Sequence, residues 1–324
     1  MKAIVCTKYG GPDVLQITEV EKPAPGDDEV LVKIQAASVN AYDWHLLTAD
    51  IFLVRLAGGL LKPKNTRPGA DIAGRIEAVG SRVQQFQPGD EVFGDIGTGG
   101  FAEYACARAD RLVMKPVNLS FEEAAAVPMA ALTALQSLRD MGQIQPGQKV
   151  LINGAGGRVG TFAVQFAKYL GADVTAVCST RNLDTARTLG ADQVIDYTRE
   201  DFTRHEQRFD LILAVNGYHS IFDYRRALNP GGRYVVAGGS LAQLFQGMLL
   251  GAWLSKTGHK TMGFFMANIN QQDLGLIKDL VEAGKVRPVI DQCYPFSETA
   301  EALRYLGQGH AKGKVVITVA HSNT

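Results

Sequence analysis

A glycine run at residues 150–160, "VLINGAGGRVG", is the part of the sequence best suited to chemistry. It directly follows a buried-type strand and precedes an amphipathic helix, the setting in which glycines let the backbone approach a pyrophosphate. The N-terminus of that helix offers free N–H groups and a partial positive charge. This setting favours a dinucleotide site over the alternative, a plain glycine-rich turn.

Two registers fit the run. Gly154, Gly157 and Gly160 are spaced as G-x-x-G-x-x-G, whereas Gly154 and Gly156 are followed three residues later by Val159. We favour the first register because its last glycine lies where the helix must pack closely against the strand. The predicted cofactor contacts of this loop are Gly154, Gly157, Arg158, Val159 and Gly160.

The end of the next strand, "AVCSTRN", indicates which dinucleotide the loop binds. A site for NAD normally has Asp or Glu there, about 20 residues after the glycines, to accept a hydrogen bond from the ribose 2′-OH. This chain instead has Ser179, Thr180 and Arg181, with no carboxylate among them. Hydroxyls and a guanidinium suit a 2′-phosphate, so NADPH is favoured. The alternative, a solvated Arg181 and bound NADH, stays open.

These motifs lie within two different patterns of secondary structure. From residue 2 to residue 116, short apolar and β-branched runs separated by glycine- and proline-rich turns predict a compact, mostly β module. After Pro116 strands alternate with helices, which predicts a parallel sheet with helices on both faces. The predicted fold class is α/β, a Rossmann-type doubly wound sheet plus a mostly β domain. The final run, "KVVITV", is more like the first module than the second.

Composition excludes several classes of function. The 324 residues include 33 Lys plus Arg and 33 Asp plus Glu, and this balance points to no nucleic-acid partner. No run of about 18 uncharged apolar residues exists, so no transmembrane segment is predicted. The four cysteines form no C-x-x-C pair or His–Cys cluster. Their spacing indicates neither zinc nor a redox dithiol and favours a reducing, cytoplasmic compartment.

Two apolar segments, residues 51–61 and 241–254, stand out from this composition. We favour packing inside the protein or at a cleft for both of them. Contact with a membrane surface and a dimer surface are the alternatives. At a cleft, the two segments would suggest a hydrophobic substrate.

Stretches along the whole chain resemble the zinc-independent quinone oxidoreductases and enone reductases of the medium-chain dehydrogenase/reductase family. They include "GGPDVLQITEVEKPAPGDDEVLVKIQAASVN", "RPGADIAGRIEAVGSRVQQFQPGDEVFG", "GAGGRVG", "LGADQVIDY" and "GKVRPVIDQCYPF". The resemblance implies a GroES-like catalytic domain from residues 1–120 and 289–324, and a Rossmann NADP-binding domain from residues 121–288. It also implies a cofactor cleft between the domains and a homodimer.

Zinc is where this chain departs from the alcohol dehydrogenase branch of that family. The metal-dependent branch has a cysteine ligand where this chain has Asn40, and a His–Glu pair where it has Ala70 and Asp71. Zinc prefers thiolate and imidazole ligands in a tetrahedral set, which these residues do not supply. We therefore expect no catalytic metal, and His45 alone is expected to be a cleft or surface histidine.

Without a Lewis acid, the resemblance implies hydride transfer from NADPH to an activated C=C bond or a quinone, with a small hydrophobic carbonyl or quinone as substrate. Asn40 is the predicted donor to the carbonyl oxygen, and Tyr42 is a candidate donor or proton source. Asp43 and Asp71 are interpreted as structural. The alternative function is a catalytically idle NADPH-binding sensor or scaffold.

The resemblance also assigns cofactor contacts outside the glycine run. Those expected at the adenosine 2′-phosphate are Ser179, Arg181, Asn182 and Tyr197. For Tyr197, a partly buried tyrosine at a strand end is the alternative reading. Those expected near the nicotinamide half are Thr133, Asn216, Gly238, Gly239, Phe264, Phe265 and Met266.

Overall fold

The computed structural model describes residues 1–217, 219–239, 241–256 and 259–321. The strands are, in chain order, β1 Lys2–Val5, β2 Gln16–Glu19, β3 Glu29–Val39, β4 Asp71–Val79, β5 Glu91–Asp95, β6 Tyr104–Arg108, β7 Leu112–Met114, β8 Lys149–Asn153, β9 Asp173–Cys178, β10 Gln193–Asp196, β11 Phe209–Ala214, β12 Leu228–Val236, β13 Thr261–Phe264, β14 Ile290–Pro295 and β15 Lys314–Thr318. The α-helices are α1 Ala41–Thr48, α2 Phe52–Gly58, α3 Phe121–Ala125, α4 Pro128–Gln136, α5 Gly160–Tyr169, α6 Leu183–Thr188, α7 Ile221–Ala227, α8 Leu241–Lys256, α9 Gln271–Glu282 and α10 Thr299–Gly307.

The chain forms two compact units. The first contains residues 1–129, 269–284 and 288–324, and the second contains residues 130–268 and 285–287. The division differs from the predicted domain boundaries for residues 121–129 and for the segment with α9, which belong to the first unit. Two hydrogen bonds attach α9 to the first unit. Gln271 Nε2 donates to the Leu112 carbonyl oxygen, and Asn118 Nδ2 donates to the Val281 carbonyl oxygen.

The first unit is built on a seven-stranded sheet in the order β14-β15-β3-β4-β5-β7, with β6 also paired to β3. Its strands pair antiparallel, except for the parallel pair β14 and β15. The last strand pairs with β3 in the register Val315 to Val39, so the end of the chain completes the β unit, as the "KVVITV" run predicts. Side chains such as Ile34, Ile72 and Phe101 fill the core beneath this sheet.

The second unit contains a six-stranded, all-parallel sheet in the order β10-β9-β8-β11-β12-β13. This order reverses direction at β8, as in a doubly wound dinucleotide-binding sheet. Helix α5 buries Phe162 and Phe166 completely. The predicted α/β fold class is therefore confirmed.

All six parallel strands end at the same edge of this sheet. Asn153 pairs in register with Val177 and Ala214, and Val236 pairs with Ala214 and Phe264. The segments that follow these strands are therefore neighbours, although they are far apart in the chain. In a sheet of this type ligands bind beyond the carboxyl ends of the strands.

The two apolar segments expose much of their outer surface. In the first, Leu56 and Leu61 are 58% and 88% exposed. In the second, Leu249 and Trp253 on α8 are 70% and 58% exposed. These side chains are not packed inside either unit. None of the helices in the described ranges has the length and apolar character needed to span a bilayer.

Candidate functional site

The glycine loop between β8 and α5 is shaped by three close approaches. Gly154 has a φ of 91°, and a side chain there would meet the backbone nitrogen of Asn216 at 2.7 Å. A Cβ on Gly160 would lie 2.1 Å from the Gly154 carbonyl oxygen, so the start of α5 packs directly on the loop. This is the packing expected of the third glycine in the favoured register. Gly156 is also needed, because a Cβ there would lie 2.2 Å from Asn182 Nδ2.

Gly157 is different because its missing side chain faces open space. The nearest atom to a Cβ built there is the Gly154 carbonyl oxygen, at 3.4 Å. Its own N–H donates to that oxygen over 3.1 Å, which closes the turn. Backbone is therefore exposed at the point where a pyrophosphate would approach the loop.

The residues after Gly157 present unpaired donors. Within the described part of the chain, the backbone N–H groups of Arg158, Val159 and Gly160 donate to no other group. The first turn of α5 contains no acidic residue that would neutralise them. Open space, free amides and the positive end of a ten-residue helix together fit a phosphate-containing ligand.

The ends of β9 and β10 bring together most of the residues predicted for the adenosine half. Ser179 follows β9, Tyr197 follows β10, and the Tyr197 N–H donates to the Cys178 carbonyl oxygen over 3.1 Å. The side chains of Arg181 and Tyr197 are exposed, Tyr197 by 59%. Asn182 is only 8% exposed and packs against Gly156, which gives it a structural contact whether or not it touches a ligand.

Sequence reasoning missed Asp196, the last residue of β10. Its carboxylate accepts hydrogen bonds from the hydroxyls of Thr180 and Thr198 and from the Thr198 N–H. The Thr180 hydrogen bond is the main reason that the pKa of Asp196 is lowered, and the Thr198 bonds add to it. The carboxylate therefore stays ionised and orients Thr180. The signal was present in the spacing "DYT", because an Asp that bonds the residue two positions later is a common turn.

Most of the other predicted contacts follow strands that end at the same edge of the sheet. Asn216 follows β11, Gly238 and Gly239 follow β12, and β13 ends at Phe264. The Phe265 N–H donates to the Val236 carbonyl oxygen, which ties this segment to the end of β12. Met266 is 76% exposed just beyond it. Thr133 does not follow a strand and lies on α4.

The predicted catalytic residue Asn40 lies in the first unit, in a buried polar cluster. Asn40 is 4% exposed and caps α1, where its backbone N–H donates to Asp43 Oδ2 over 2.8 Å. Its side-chain nitrogen donates to Asp71 Oδ2 at 2.9 Å and more weakly to the Ser38 carbonyl oxygen at 3.5 Å. Both acceptors belong to the protein. Donation to a substrate carbonyl stays a prediction and would have to compete with them.

Lys314, which sequence reasoning also missed, supplies the positive charge of this cluster. Its ammonium donates to Asn40 Oδ1 at 2.6 Å and lies 3.2 Å from Asp71 Oδ2, and neither Lys314 nor Asp71 is exposed to solvent. Asp71 Oδ2 also accepts from the Ser38 hydroxyl, and Oδ1 accepts from the Met129 N–H. A lysine that begins the apolar run "KVVITV" was the available signal, because a buried lysine needs a partner.

Two further carboxyl groups lie in the buried part of this unit. Burial raises the pKa of Asp43 to about 7, although hydrogen bonds from the N–H groups of Asn40 and Gly69 oppose the rise. Burial, and then the charge of Asp71, raise the pKa of Asp95 to about 7. Asp95 Oδ1 accepts from the Gly97 N–H, whereas Oδ2 has no partner in the described chain. Each group therefore titrates near neutral pH.

Tyr42, the second predicted catalytic residue, is 42% exposed on α1. Desolvation raises the pKa of its hydroxyl, and the negative charges of Asp95 and Asp43 raise it further. The hydroxyl therefore stays protonated at neutral pH and remains able to donate a hydrogen bond.

The positions that hold zinc in the metal-dependent branch contain no such site here. Asn40 and Asp71 bond to Lys314, and the Ala70 side chain has no ligand atom. Throughout the part of the chain that the structure describes, no three His, Cys, Asp or Glu side chains are grouped so as to hold a metal ion. His45 instead contacts Asp50, with Nδ1 2.8 Å from Oδ1.

Comparison with known proteins agrees with this two-unit architecture. Residues 26–117 match the alcohol dehydrogenase GroES-like domain family, and residues 189–317 match the zinc-binding dehydrogenase family. The 2-methylene-furan-3-one reductase of Solanum lycopersicum is 37% identical over 98% of this chain and 79% of its own length. A chloroplastic NADPH-dependent alkenal/one oxidoreductase of Arabidopsis thaliana is 33% identical with the same coverage.

Among solved structures, the Escherichia coli quinone oxidoreductase complexed with NADPH superposes with a TM-score of 0.84 and 25% identity, over 98% of this chain and 100% of that one. The fold and the glycine loop define a dinucleotide-binding oxidoreductase. The chain belongs to the medium-chain dehydrogenase/reductase family, among its quinone and enone oxidoreductases.

Proposed function

We propose that this protein is an NADPH-dependent reductase that transfers a hydride to an activated C=C bond or to a quinone without zinc. The observation that carries the proposal is the open backbone at Gly157 followed by three unpaired N–H groups at the start of α5. These features fit the pyrophosphate of a nicotinamide dinucleotide. The relatives that use NADPH support the choice of cofactor.

NADPH is proposed over NADH because of the residues that follow β9 and β10. Ser179, Arg181 and Tyr197 present hydroxyl and guanidinium groups at this end of the sheet, which suit a 2′-phosphate. Asp196 is a poor substitute for the carboxylate of an NAD site, because it is only 6% exposed and its oxygens already accept from Thr180 and Thr198. Asn216, Gly238, Gly239 and residues 264–266 are proposed to line the nicotinamide half.

Bound NADPH would supply the hydride. The residues of this chain would bind the cofactor and the substrate, orient them and exclude water. The charge that develops on a carbonyl oxygen needs hydrogen-bond donors. We assign that role to the Asn40 amide and the proton to water or the exposed Tyr42 hydroxyl. Zinc is not required in this scheme, and elemental analysis of the purified protein is expected to find less than about one zinc per ten chains.

Turnover is tested by NADPH oxidation with a panel of quinones and 2-alkenals, followed by product analysis with one enone. We expect several compounds to speed oxidation, and the enone product to be saturated at its C=C bond. If NADPH binds but no compound accelerates its oxidation, the chain is instead a nucleotide-binding sensor or scaffold. The hydrogen bonds that already occupy the Asn40 amide are the observation that would explain such an outcome.

The cofactor choice is tested by Arg181→Ala. We expect the affinity for NADPH to fall about 10- to 100-fold, the cost of losing a charge-assisted hydrogen bond, and the affinity for NADH to change less than about twofold. Arg187→Ala is the matched control because Arg187 lies on nearby α6 and pairs with Asp184. Equal losses of both nucleotides in Arg181→Ala would contradict the assignment of the 2′-phosphate.

Assembly and compartment are proposals of the same kind. A homodimer in the cytoplasm fits the family, and light scattering during gel filtration would give about twice the 34.9 kDa chain mass. A monomeric mass would exclude the dimer without affecting the cofactor assignment.

A further inference from the structure

The side chain of Arg158 carries a positive charge that this protein leaves without a counter-charge. In the described part of the chain, its guanidinium forms no ion pair and no hydrogen bond. The residue takes part in a side-chain hydrogen bond only through its backbone carbonyl oxygen, which accepts from the Thr161 hydroxyl. Surrounding protein displaces water from the guanidinium and lowers its pKa, and no nearby acid opposes that shift. The residue nevertheless keeps partial exposure, so a ligand can reach it.

The position of Arg158 makes this charge more unfavourable. It lies two residues before the first residue of α5, at the end of the helix dipole that repels cations. The N–H groups of residues 158–160 add three more positive partial charges without acceptors. A desolvated guanidinium is normally paired, since burial of an unpaired charge is costly.

We propose that the missing counter-charge is the pyrophosphate of the dinucleotide, and that Arg158 contributes affinity shared equally by NADPH and NADH. The proposal rests on the proposed function. It separates two arginines by the part of the cofactor that each one binds: Arg181 binds the 2′-phosphate, and Arg158 binds the pyrophosphate. A guanidinium suits this role because its planar fork matches two phosphate oxygens.

The same observations imply that Arg158 lowers the stability of the protein when no nucleotide is bound. Without a nucleotide the Arg158 charge is uncompensated, so its removal relieves an unfavourable interaction. Arg158→Ala should therefore melt at a higher temperature than the wild-type protein in the absence of nucleotide. A saturating nucleotide should reverse this order, because it stabilises the wild-type protein more than the variant.

The test measures binding of NADPH and NADH by calorimetry, and melting temperatures with and without each nucleotide. In Arg158→Ala we expect both affinities to fall by the same factor, at least about tenfold, and to depend less steeply on salt concentration. Arg158→Lys keeps the charge but not the planar fork, so its affinity for each nucleotide should lie between those of the wild-type protein and Arg158→Ala. Inorganic pyrophosphate should raise the melting temperature of the wild-type protein more than that of Arg158→Ala, which keeps only the backbone N–H groups of the site.

Two variants serve as controls. Arg181→Ala should lose NADPH affinity alone, and Arg187→Ala should lose neither. An Arg158→Ala protein that binds both nucleotides like the wild type, or that melts lower when empty, would overturn the inference about Arg158 and leave the proposed function standing. A wild-type protein that binds neither nucleotide would overturn the proposed function itself.

Discussion

Two cations, one in each unit, have opposite surroundings. Lys314 in the first unit has no solvent exposure, and its ammonium bonds to Asn40 and lies 3.2 Å from the carboxylate of Asp71. Arg158 in the second unit is partly exposed and has no acid near its guanidinium. A buried charge whose partners are all supplied by the chain is costly to remove, because its partners are then left buried and unpaired. A charge whose partners the chain omits indicates where a ligand binds.

The largest expected effect comes from breaking the complete pair. Lys314→Met leaves Asp71 buried without its cation and Asn40 Oδ1 without its donor, so the free energy of unfolding should fall by about 3–5 kcal/mol. Urea denaturation measures this loss. The double variant Lys314→Met, Asp71→Asn removes both charges and should recover part of it. If Lys314→Met is as stable as the wild type, the pair does not hold the first unit together.

A second effect concerns the extra acid beside that pair. The pKa of Asp95 in the folded protein is about 7, above the ordinary value of 3.8 for the unfolded chain. Its protonated form therefore contributes stability that is fully present below about pH 4 and is lost as the pH rises to about 7. A shift of this size sets an upper limit of about 4 kcal/mol.

Asp95→Asn removes this titration and should be more stable than the wild type at pH 8, with a smaller advantage at pH 5. Melting temperatures between pH 4 and pH 8 measure the difference. Asp43 remains in the variant and keeps part of the pH dependence, because its pKa is raised in the same direction. An unchanged pH profile would show that Asp95 stays ionised in the folded protein.

The smallest expected changes in stability come from two glycines of the loop. They distinguish a glycine needed for packing from a glycine needed for ligand binding. Gly160→Ala places a Cβ 2.1 Å from the Gly154 carbonyl oxygen, and it should cost about 1–3 kcal/mol of stability. In Gly157→Ala the new Cβ would make only an ordinary contact, at 3.4 Å from the Gly154 carbonyl oxygen, so stability should change by less than about 0.5 kcal/mol.

Gly157→Ala should weaken nucleotide binding although it hardly changes stability. Its methyl group would occupy the space that the pyrophosphate needs, and we expect NADPH to bind at least about tenfold more weakly. Calorimetry at a temperature where both variants are folded makes the comparison. Wild-type affinity in Gly157→Ala would place the phosphate elsewhere on the loop.

The sequence predicted the fold well because its strongest signals are periodic and local. Strand–helix alternation after Pro116 corresponds to the parallel sheet, and "KVVITV" corresponds to β15 in the first unit. The differences lie at the domain boundaries. Helix α9 has an amphipathic pattern that fits either unit, and its hydrogen bonds to residues near 112 and 118 show that it belongs to the first.

The candidate site was predicted unevenly for a similar reason. Strand ends in a parallel sheet meet at one edge, so residues such as Gly154, Ser179 and Asn216 could be grouped from the order of elements alone. Contacts made by single side chains could not. The packing of Asn182 on Gly156, and the bond from Lys314 to Asn40, depend on the register of neighbouring strands and segments, which residue types do not reveal.

The bond between Lys314 and Asn40 joins positions 274 residues apart. During synthesis, the polar cluster of the first unit lacks its cation until Lys314 has left the ribosome, which is after residues 130–268 have been made. The second unit is nearly continuous in the chain, since residues 130–268 contain its whole parallel sheet. A nascent chain can therefore complete the nucleotide-binding unit while the unit that begins at the N-terminus is still unfinished.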